Sequence, residues 1–189
     1  PKELTSSLKQ VLNGQYISEE RIFLEASVND EKKVNLALNE IVIHSKEVAQ
    51  LMEYELYIDN DFVFRQRADG ILVGSPTGST AYSLSANGPL IHPEVQAISI
   101  MPMFAHSLNT RPLVVRDDSE ISIKICKKGS SKLSLDSHKI FPLKTNDLIR
   151  ISRSKAKLSL IHPLNHDFYS ACRTKLGWSL GMKTKIDRN

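Results

Sequence analysis

The chain has 189 residues, of which 41% are hydrophobic and 24% are charged, a balance typical of a globular protein that needs neither disulfides nor metals to bury a core. The formal net charge is +4, but no block of Lys and Arg marks a nucleic-acid-binding arm, so we expect no nucleic-acid partner. A mildly basic chain of this kind suits small anionic ligands such as nucleotides.

Two further features bear on the cellular compartment. Cys126 and Cys172 form no C-x-x-C motif and no disulfide framework, which favours a reducing cytoplasm. No signal peptide opens the chain, and no apolar run reaches the ~18–20 residues that cross a bilayer, so we expect no membrane association. The first residue is Pro1 rather than Met, which leaves open that the chain is a fragment or a processed form.

In chain order, the first predicted element is a helix over residues 4–12, with Gly14 where a C-cap would stand. Strand patterns follow, and EYELYI, DND and FVFRQR together predict a hairpin. In EISIKI we expect Ile121, Ile123 and Ile125 to point inward. The stretches that predict strands are RIFLEASV, VNLALNEIVIH, EYELYI, FVFRQR, ILV, EISIKI, KLSLDS, DLIRIS and KLSLIH.

These short strands, separated by turn residues, predict a mainly β fold in which two antiparallel sheets pack together with a few helices. We expect one helix over residues 80–86 and another near FYSACRTKLGW. The chain as a whole is predicted to be a single domain over 1–189, in which residues 1–20 are a leading linker helix and residues 180–189 a frayed tail.

The stretch from Gly70 to Pro89, GILVGSPTGSTAYSLSANGP, is the richest in ligand-binding chemistry. A strand runs into a turn of small hydroxyl residues, where Gly78 permits backbone geometry that other residues resist. Ser79 and Thr80 are candidate N-caps, and the N–H groups of a helix start favour anionic or polar ligand atoms. The alternative is a plain Gly/Ser-rich turn with a helix cap, because the segment is neither a Walker A loop nor G-x-G-x-x-G.

Polar residues elsewhere give weaker signals. Asn39 and Glu40 interrupt an apolar strand, so they either meet partners on the core side or sit at a strand end or bulge. Arg67 and Asp69 either face one pocket with the Gly70–Pro89 stretch or form a surface ion pair and a turn. His138 lies between two strands, and a lone histidine there is more often a surface residue.

Two classes of site are not supported by the sequence. The histidines show no metal-ligand spacing, so we expect no metal held by protein ligands. No G-x-S-x-G elbow occurs among the many Ser and His residues, which makes a hydrolase a poor interpretation.

Taken together, the stretches are far more specific than any one alone. LNE, followed by RADGILVGSPTGSTAYSLSANGP, MPMFAHSLNTRPLVV, LDSHK and TKLGW, resembles the NAD kinase family in order and spacing over essentially the whole chain. The resemblance is to the bacterial form. It implies transfer of the terminal phosphate of ATP, or of inorganic polyphosphate, to the 2′-hydroxyl of the adenosine ribose of NAD, giving NADP.

The resemblance also implies a fold, partners and a cofactor. The chain would be the β-rich, C-terminal NAD-binding and oligomerisation domain. Its expected partners are NAD, ATP and further copies of itself in a homo-oligomer, a tetramer or dimer. Mg²⁺ or another divalent cation is expected to accompany ATP. The implied NAD-binding residues are Asn39, Glu40, Arg67, Asp69, Thr77, Thr80, Ala81, Tyr82, Ser83, Leu84, Ser85, Phe104 and His138.

The sequence departs from the family at one hallmark, the Gly-Gly-Asp-Gly segment whose Asp is taken as the general base. No such segment occurs here, and the only Asp-Gly is Asp69-Gly70. We therefore expect no catalytic residue in this chain and little or no activity from it alone. The alternative is a noncatalytic dinucleotide-binding and oligomerisation module. The TGSTAY and NE stretches argue against a third hypothesis, a lipid kinase related to diacylglycerol kinases.

Overall fold

Antiparallel strands make up most of the computed structural model, which describes residues 2–29, 31, 35–46, 50–105, 109–126 and 131–178. The strands are β1 (Tyr16–Val28), β2 (Asn35–Ala37), β3 (Glu40–Ser45), β4 (Met52–Ile58), β5 (Asp61–Ala68), β6 (Gly70–Gly74), β7 (Ala97–Met103), β8 (Leu113–Arg116), β9 (Ile121–Ile125), β10 (Ser131–Leu135), β11 (Lys139–Leu143) and β12 (Leu148–Pro163). The α-helices are α1 (Lys2–Leu12), α2 (Tyr82–Ser85) and α3 (Phe168–Leu176), and a 3-10 helix covers Thr77–Thr80.

The strands form two six-stranded sheets. The first has the order β2-β1-β12-β9-β4-β5, and the second has the order β11-β10-β3-β6-β7-β8. This architecture confirms the prediction of a mainly β, two-sheet antiparallel fold with a few helices. The chain divides into two compact units, residues 20–159 and residues 1–19 with 160–189. The single domain over 1–189 with a leading linker helix stays a prediction.

The larger unit contains a core of aliphatic side chains contributed by both sheets. Alternate residues of β3 and β6 supply Ile41, Ile43, Ile71 and Val73, all fully buried. The first sheet supplies buried side chains from β4 and β9, such as Leu56. Ile121, Ile123 and Ile125 are all buried, which confirms the prediction that they point inward. Burying each such side chain contributes about 1.5–3 kcal/mol, so this face fixes the register of the second sheet.

The opposite face of the second sheet carries a smaller apolar row. Val42 of β3 pairs with Leu72 of β6, which pairs with Met101 of β7. These three side chains and Met103 form a second buried cluster, against which Ala86 packs. The segment that follows β6 therefore lies on this outer face.

Two predicted strand patterns differ from the observed strands. The run predicted over 34–44 is broken into β2 and β3, with Leu38 and Asn39 between them. The runs DLIRIS and KLSLIH instead belong to one strand, β12, because no Gly or Pro separates them. A polar pair within an apolar run signalled this break. The interpretation of that pair as a strand end is confirmed.

The smaller unit contains both terminal α-helices, close to where the sequence predicts them. α1 ends ahead of Gly14, which has a φ of 76°. Asp167 caps α3 by accepting from the Tyr169 N–H at 2.9 Å, and Gly177 ends it with a φ of 65°. The tail over 180–189 lies outside the described residues. None of the helices in the described ranges has the length and apolar character needed to traverse a bilayer.

Candidate functional site

The break between β2 and β3 is held by a carboxylate from a distant hairpin. Asp136, at the turn between β10 and β11, accepts from the backbone N–H groups of Leu38 at 2.7 Å, Asn39 at 2.8 Å and Glu40 at 3.0 Å. Its own N–H donates to the Glu40 carbonyl at 3.0 Å. Hydrogen bonds to a charged acceptor are about twice as strong as neutral ones, so this group fixes the path of the break.

The turn after β6 holds the same break from its other side. The Ser75 N–H donates to the Asn39 carbonyl at 2.9 Å, and the Ser75 hydroxyl donates to the Leu38 carbonyl at 2.6 Å. That hydroxyl also accepts from the Gly78 N–H at 3.2 Å. Residues 38–40, 75–78 and 136 thus form one hydrogen-bonded junction, which we call the three-segment junction.

Glycine is required at position 78 because the backbone of Asn39 lies too close to leave room for a side chain. A Cβ built on Gly78 would lie 2.1 Å from the carbonyl oxygen of Asn39. The sequence-based reason, a backbone conformation open only to glycine, is wrong, because the positive-φ glycines of the described chain are Gly14 and Gly177.

The predicted helix over 80–86 is two short pieces, the 3-10 helix at Thr77–Thr80 and α2 at Tyr82–Ser85. Ser79 and Thr80 do not cap α2, since Ala81 precedes it and makes no side-chain cap bond. Ser79 is instead buried, where its hydroxyl donates to the Ile91 carbonyl and accepts from the Ile91 N–H, both at 3.2 Å. The cap prediction for Ser79 and Thr80 is therefore wrong.

Glu40 joins the three-segment junction to α2. Its side chain is buried, and the backbone N–H of Tyr82 donates to its carboxylate. Burial and then the negative charge of Asp136 raise the pKa of Glu40 above its ordinary value of 4.5, which the Tyr82 hydrogen bond partly offsets. The Oε2 atom of Glu40 has no hydrogen-bond partner among the described residues.

Two clefts open on the outer face of the second sheet, beside α2. The first has a volume of about 470 Å³ and the second about 380 Å³. Tyr82, Met103 and Phe104 line both clefts and so form a wall common to the two. Both volumes are in the range of small-molecule sites, roughly 300–1,000 Å³.

Four of the predicted residues lie in the clefts. Asp69, Tyr82 and Phe104 line the first, whereas Tyr82, Ser85 and Phe104 line the second. Phe104 is 79% exposed and has a φ of 47°, a left-handed conformation that is uncommon for an aromatic residue. Asn39 and Glu40 line neither cleft and belong to the three-segment junction.

Four other predicted residues belong to the turn. Thr77 accepts from the guanidinium of Arg21 at 3.4 Å, and Thr80 is exposed. Ala81 is half-buried between the two short helices, and Leu84 is exposed on α2. They surround α2 without lining either cleft.

Three predicted residues are directed elsewhere. Ser83 is buried and its hydroxyl contacts the sulfur of Met101 at 3.0 Å, so it belongs to the packing beneath α2. Arg67 lines a third cleft, which shares Arg111 and Pro112 with the second cleft. Arg67 belongs to β5, at the edge of the first sheet, whereas Asp69 follows the end of that strand. His138 is exposed, and its Nδ1 contacts the Asp136 carbonyl. Arg67 and Asp69 line different clefts, and their joint role in NAD binding stays a prediction.

Sequence reasoning missed other residues of the first cleft. Val42 and His44 come from alternate positions of β3, and Ser134 comes from the neighbouring strand β10. The signal was the period of two within EIVIHS, which places Val42 and His44 on one face. The sequence does not reveal which strand is adjacent, so Ser134 had no local signal.

Comparison with known proteins gives a consistent result. A family model for the ATP-NAD kinase C-terminal domain matches residues 38–163. The chain is 46% identical over 183 residues to an NAD kinase from Pseudoalteromonas translucida, covering 94% of this chain and 62% of that protein. It is 44% identical over 186 residues to an NAD kinase from Photorhabdus laumondii, covering 96% of this chain and 64% of that protein.

Two solved structures share the fold. A yeast NADH kinase complexed with NADH aligns with a TM-score of 0.84 at 28% identity, covering 96% of this chain and 56% of that one. An NAD kinase from Archaeoglobus fulgidus in complex with ATP aligns with a TM-score of 0.70 at 27% identity, covering 82% and 59%. The chain spans less than two thirds of the length of each of these relatives. Because the family model matches two thirds of the chain, the chain belongs to the ATP-NAD kinase C-terminal domain family.

Proposed function

We propose that the chain is the NAD-holding part of an NAD kinase, which transfers the terminal phosphate of ATP or polyphosphate to the 2′-hydroxyl of the adenosine ribose of NAD. The observation that carries the proposal is the pair of clefts with a common aromatic wall, set beside a buried carboxylate at the three-segment junction. A dinucleotide has two flat ring systems, and aromatic side chains such as Tyr82 and Phe104 bind such faces by stacking.

In this proposal the polar groups orient the dinucleotide. Asp69 accepts a hydrogen bond from a ligand N–H, such as that of the carboxamide, because an ionised carboxylate is an acceptor only. Asn39 and Glu40 serve the ribose end from the three-segment junction, where Glu40 Oε2 is a buried acceptor with no hydrogen-bond partner among the described residues. Ser85 adds a hydroxyl at the second cleft.

Phosphoryl transfer depends mainly on positioning and on neutralising charge, and the acceptor hydroxyl needs a base within hydrogen-bond reach. In our proposal the base is the Asp of a Gly-Gly-Asp-Gly segment, which this sequence does not contain. The chain alone is then expected to bind NAD and to form little or no NADP.

A divalent cation such as Mg²⁺ is expected with ATP, but the clefts do not fit one as a site of their own. Mg²⁺ takes six oxygen ligands and uses one or two carboxylates together with phosphates. Among the described residues that line the two clefts, Asp69 is the one carboxylate. We therefore assign no step of the reaction to a metal held by these residues.

The test is to measure NAD binding by isothermal titration calorimetry and NADP formation in the same preparation. We expect binding by the chain, and at least about tenfold weaker binding for Asp69→Ala, because a good polar contact to a charged group is worth about 1.5–3 kcal/mol. Asp118→Ala is the matched control, since Asp118 is an exposed carboxylate paired with Arg116 away from the clefts. Equal affinities for Asp69→Ala and wild type would contradict our placement of Asp69. NADP formation at the rate of a complete NAD kinase would contradict the hypothesis that this chain lacks the general base.

The second candidate function, a noncatalytic binding and oligomerisation module, gives a different result when a Gly-Gly-Asp-Gly domain from a relative is added. A kinase part gains NADP formation on addition of that domain, whereas an inert module still binds NAD without turnover.

The two free cysteines, Cys126 and Cys172, support a reducing cytoplasm as the compartment.

We also propose self-association into a dimer or tetramer. Leu4, Leu8 and Leu12 repeat at every fourth position of α1 and are 74%, 56% and 76% exposed. An exposed apolar stripe of this kind is typical of an interaction surface. Sedimentation analysis of wild type and Leu8→Glu is expected to show a smaller species for the variant, and equal masses would contradict this surface.

A further inference from the structure

Three potential metal ligands come together in the smaller unit, and none of them lines either cleft. Glu19 lies on β1, His162 is near the end of β12, and His166 lies in the turn that leads to α3. Their candidate ligand atoms all lie within 4.8 Å of one another. Each residue comes from a different element. His162 and His166 nevertheless have the H-x3-H spacing known from zinc sites, which the sequence interpretation overlooked, whereas Glu19 has no local signal.

The distances suit a tetrahedral ion. The Nε2 atom of His162 lies 3.2 Å from the Oε2 atom of Glu19. Two ligands bound at about 2.0–2.1 Å to a tetrahedral ion are about 3.3 Å apart, so an ion would fit between these two atoms with little movement. An imidazole nitrogen and a carboxylate oxygen are both ligands that Zn²⁺ accepts.

The third ligand stands at the solvent side of this pair. The ring of His166 stacks on that of His162 with centroids 3.9 Å apart and planes inclined by 12°. The side chains of Glu19 and His162 are only 13% and 18% exposed, whereas His166 is exposed. Because a ring in this position rotates without disturbing the core, His166 is able to turn its nitrogen toward an ion held by the other two.

We propose that Glu19, His162 and His166 form a Zn²⁺ site with a fourth position open to water. Two imidazoles and one carboxylate are a recurring ligand set for Zn²⁺, whereas Mg²⁺ and Ca²⁺ prefer oxygen ligands. A bound ion links β1, the end of β12 and the turn before α3, and so stabilises the smaller unit. None of its three residues lines either cleft, and the proposal differs from the expectation from sequence that no metal is held by protein ligands.

The test uses the purified chain after treatment with a chelator and dialysis. Zn²⁺ is titrated against a competing chromophoric chelator, and Co²⁺ is added separately to report tetrahedral coordination by its visible absorption. We expect one Zn²⁺ per chain, a tetrahedral Co²⁺ spectrum, and a Tm that rises with Zn²⁺ concentration because the ion binds the folded state. Variants His166→Ala and Glu19→Gln are each expected to lower Zn²⁺ affinity at least about tenfold.

A matched control is provided by His92 and Glu94. Their side chains form a second His–carboxylate pair, 3.9 Å apart, in which His92 is half-buried and Glu94 is exposed. The metal-ligand groups found among the described residues do not include this pair. His92→Ala is expected to leave Zn²⁺ affinity and the Co²⁺ spectrum unchanged. Circular dichroism without metal checks that His166→Ala, which alters an exposed side chain, is folded. Wild type that binds no Zn²⁺, or a folded His166→Ala that binds it as tightly as wild type, would overturn the proposal.

Discussion

The two faces of the second sheet are built from the same strands but are stabilised in different ways. The inner face consists of aliphatic side chains, such as Ile43 and Ile71, that are fully buried between the two sheets. The outer face combines a short apolar row with the three-segment junction, in which carboxylate, hydroxyl and backbone groups bond to one another. Hydrophobic burial therefore sets the register of the sheet, while directed polar bonds set the shape of the site.

The largest effect should come from the inner face. We expect Ile71→Ala to lower the free energy of unfolding by about 2–5 kcal/mol, since it removes a fully buried side chain and leaves a cavity. Urea denaturation measures the change. Val95→Ala, at an exposed loop residue, is the control and should change stability by no more than about 0.5 kcal/mol. A comparably small change for Ile71→Ala would show that this face does not carry the core.

At the junction we expect an intermediate effect from Asp136→Asn. The amide keeps one oxygen acceptor and tolerates the left-handed φ of 46°, but its NH₂ group faces a backbone N–H that the carboxylate accepted. Stability should fall by about 1–3 kcal/mol. Asp118→Asn removes an exposed carboxylate as the control. If both variants unfold at the same urea concentration, the junction is not held by this charge.

Glu40 should make stability depend on pH with a definite sign. Its pKa is raised in the folded state, chiefly by burial, so the folded protein holds this proton more tightly than the unfolded chain does. The resulting stabilisation is fully present below pH 4.5 and is lost as the pH rises through the folded-state pKa. Glu40→Gln has no such proton, so the stability of wild type relative to this variant should fall between pH 4.5 and neutral pH. Urea denaturation across that range measures the difference, and a difference independent of pH would contradict the assignment.

The smallest effect on stability should come from the common wall of the clefts. Phe104→Asn removes an exposed ring, and asparagine tolerates the φ of 47° at this position. The free energy of unfolding should therefore change by no more than about 0.5 kcal/mol. NAD affinity, however, should fall about fivefold to a hundredfold if the ring stacks on a base. The matched control for calorimetry is Phe62→Asn, since Phe62 is exposed and lines neither cleft. Unchanged NAD affinity would exclude Phe104 from the site.

The same contrast explains what the sequence predicts. On the first sheet, the core side of β4 and β9 follows a period of two that is visible in EYELYI and EISIKI. The prediction that Ile121, Ile123 and Ile125 point inward is confirmed because side-chain alternation is a local property. The junction depends on which segments are adjacent, and Asp136, Ser75 and Asn39 are far apart along the chain. Ser79 and Thr80 were predicted to cap a helix from local chemistry alone, but tertiary contacts draw Ser79 to Ile91 instead.

The hydrogen bonds that Asp136 receives have a consequence for mutational tolerance. All three donors are backbone N–H groups, at Leu38, Asn39 and Glu40, so the bonds do not depend on which side chains those positions carry. Proline is the one residue that lacks this donor. A saturation library at positions 38 and 39 should therefore accept many residues for folding and reject proline, so the side chains there can diversify on a backbone that stays constant.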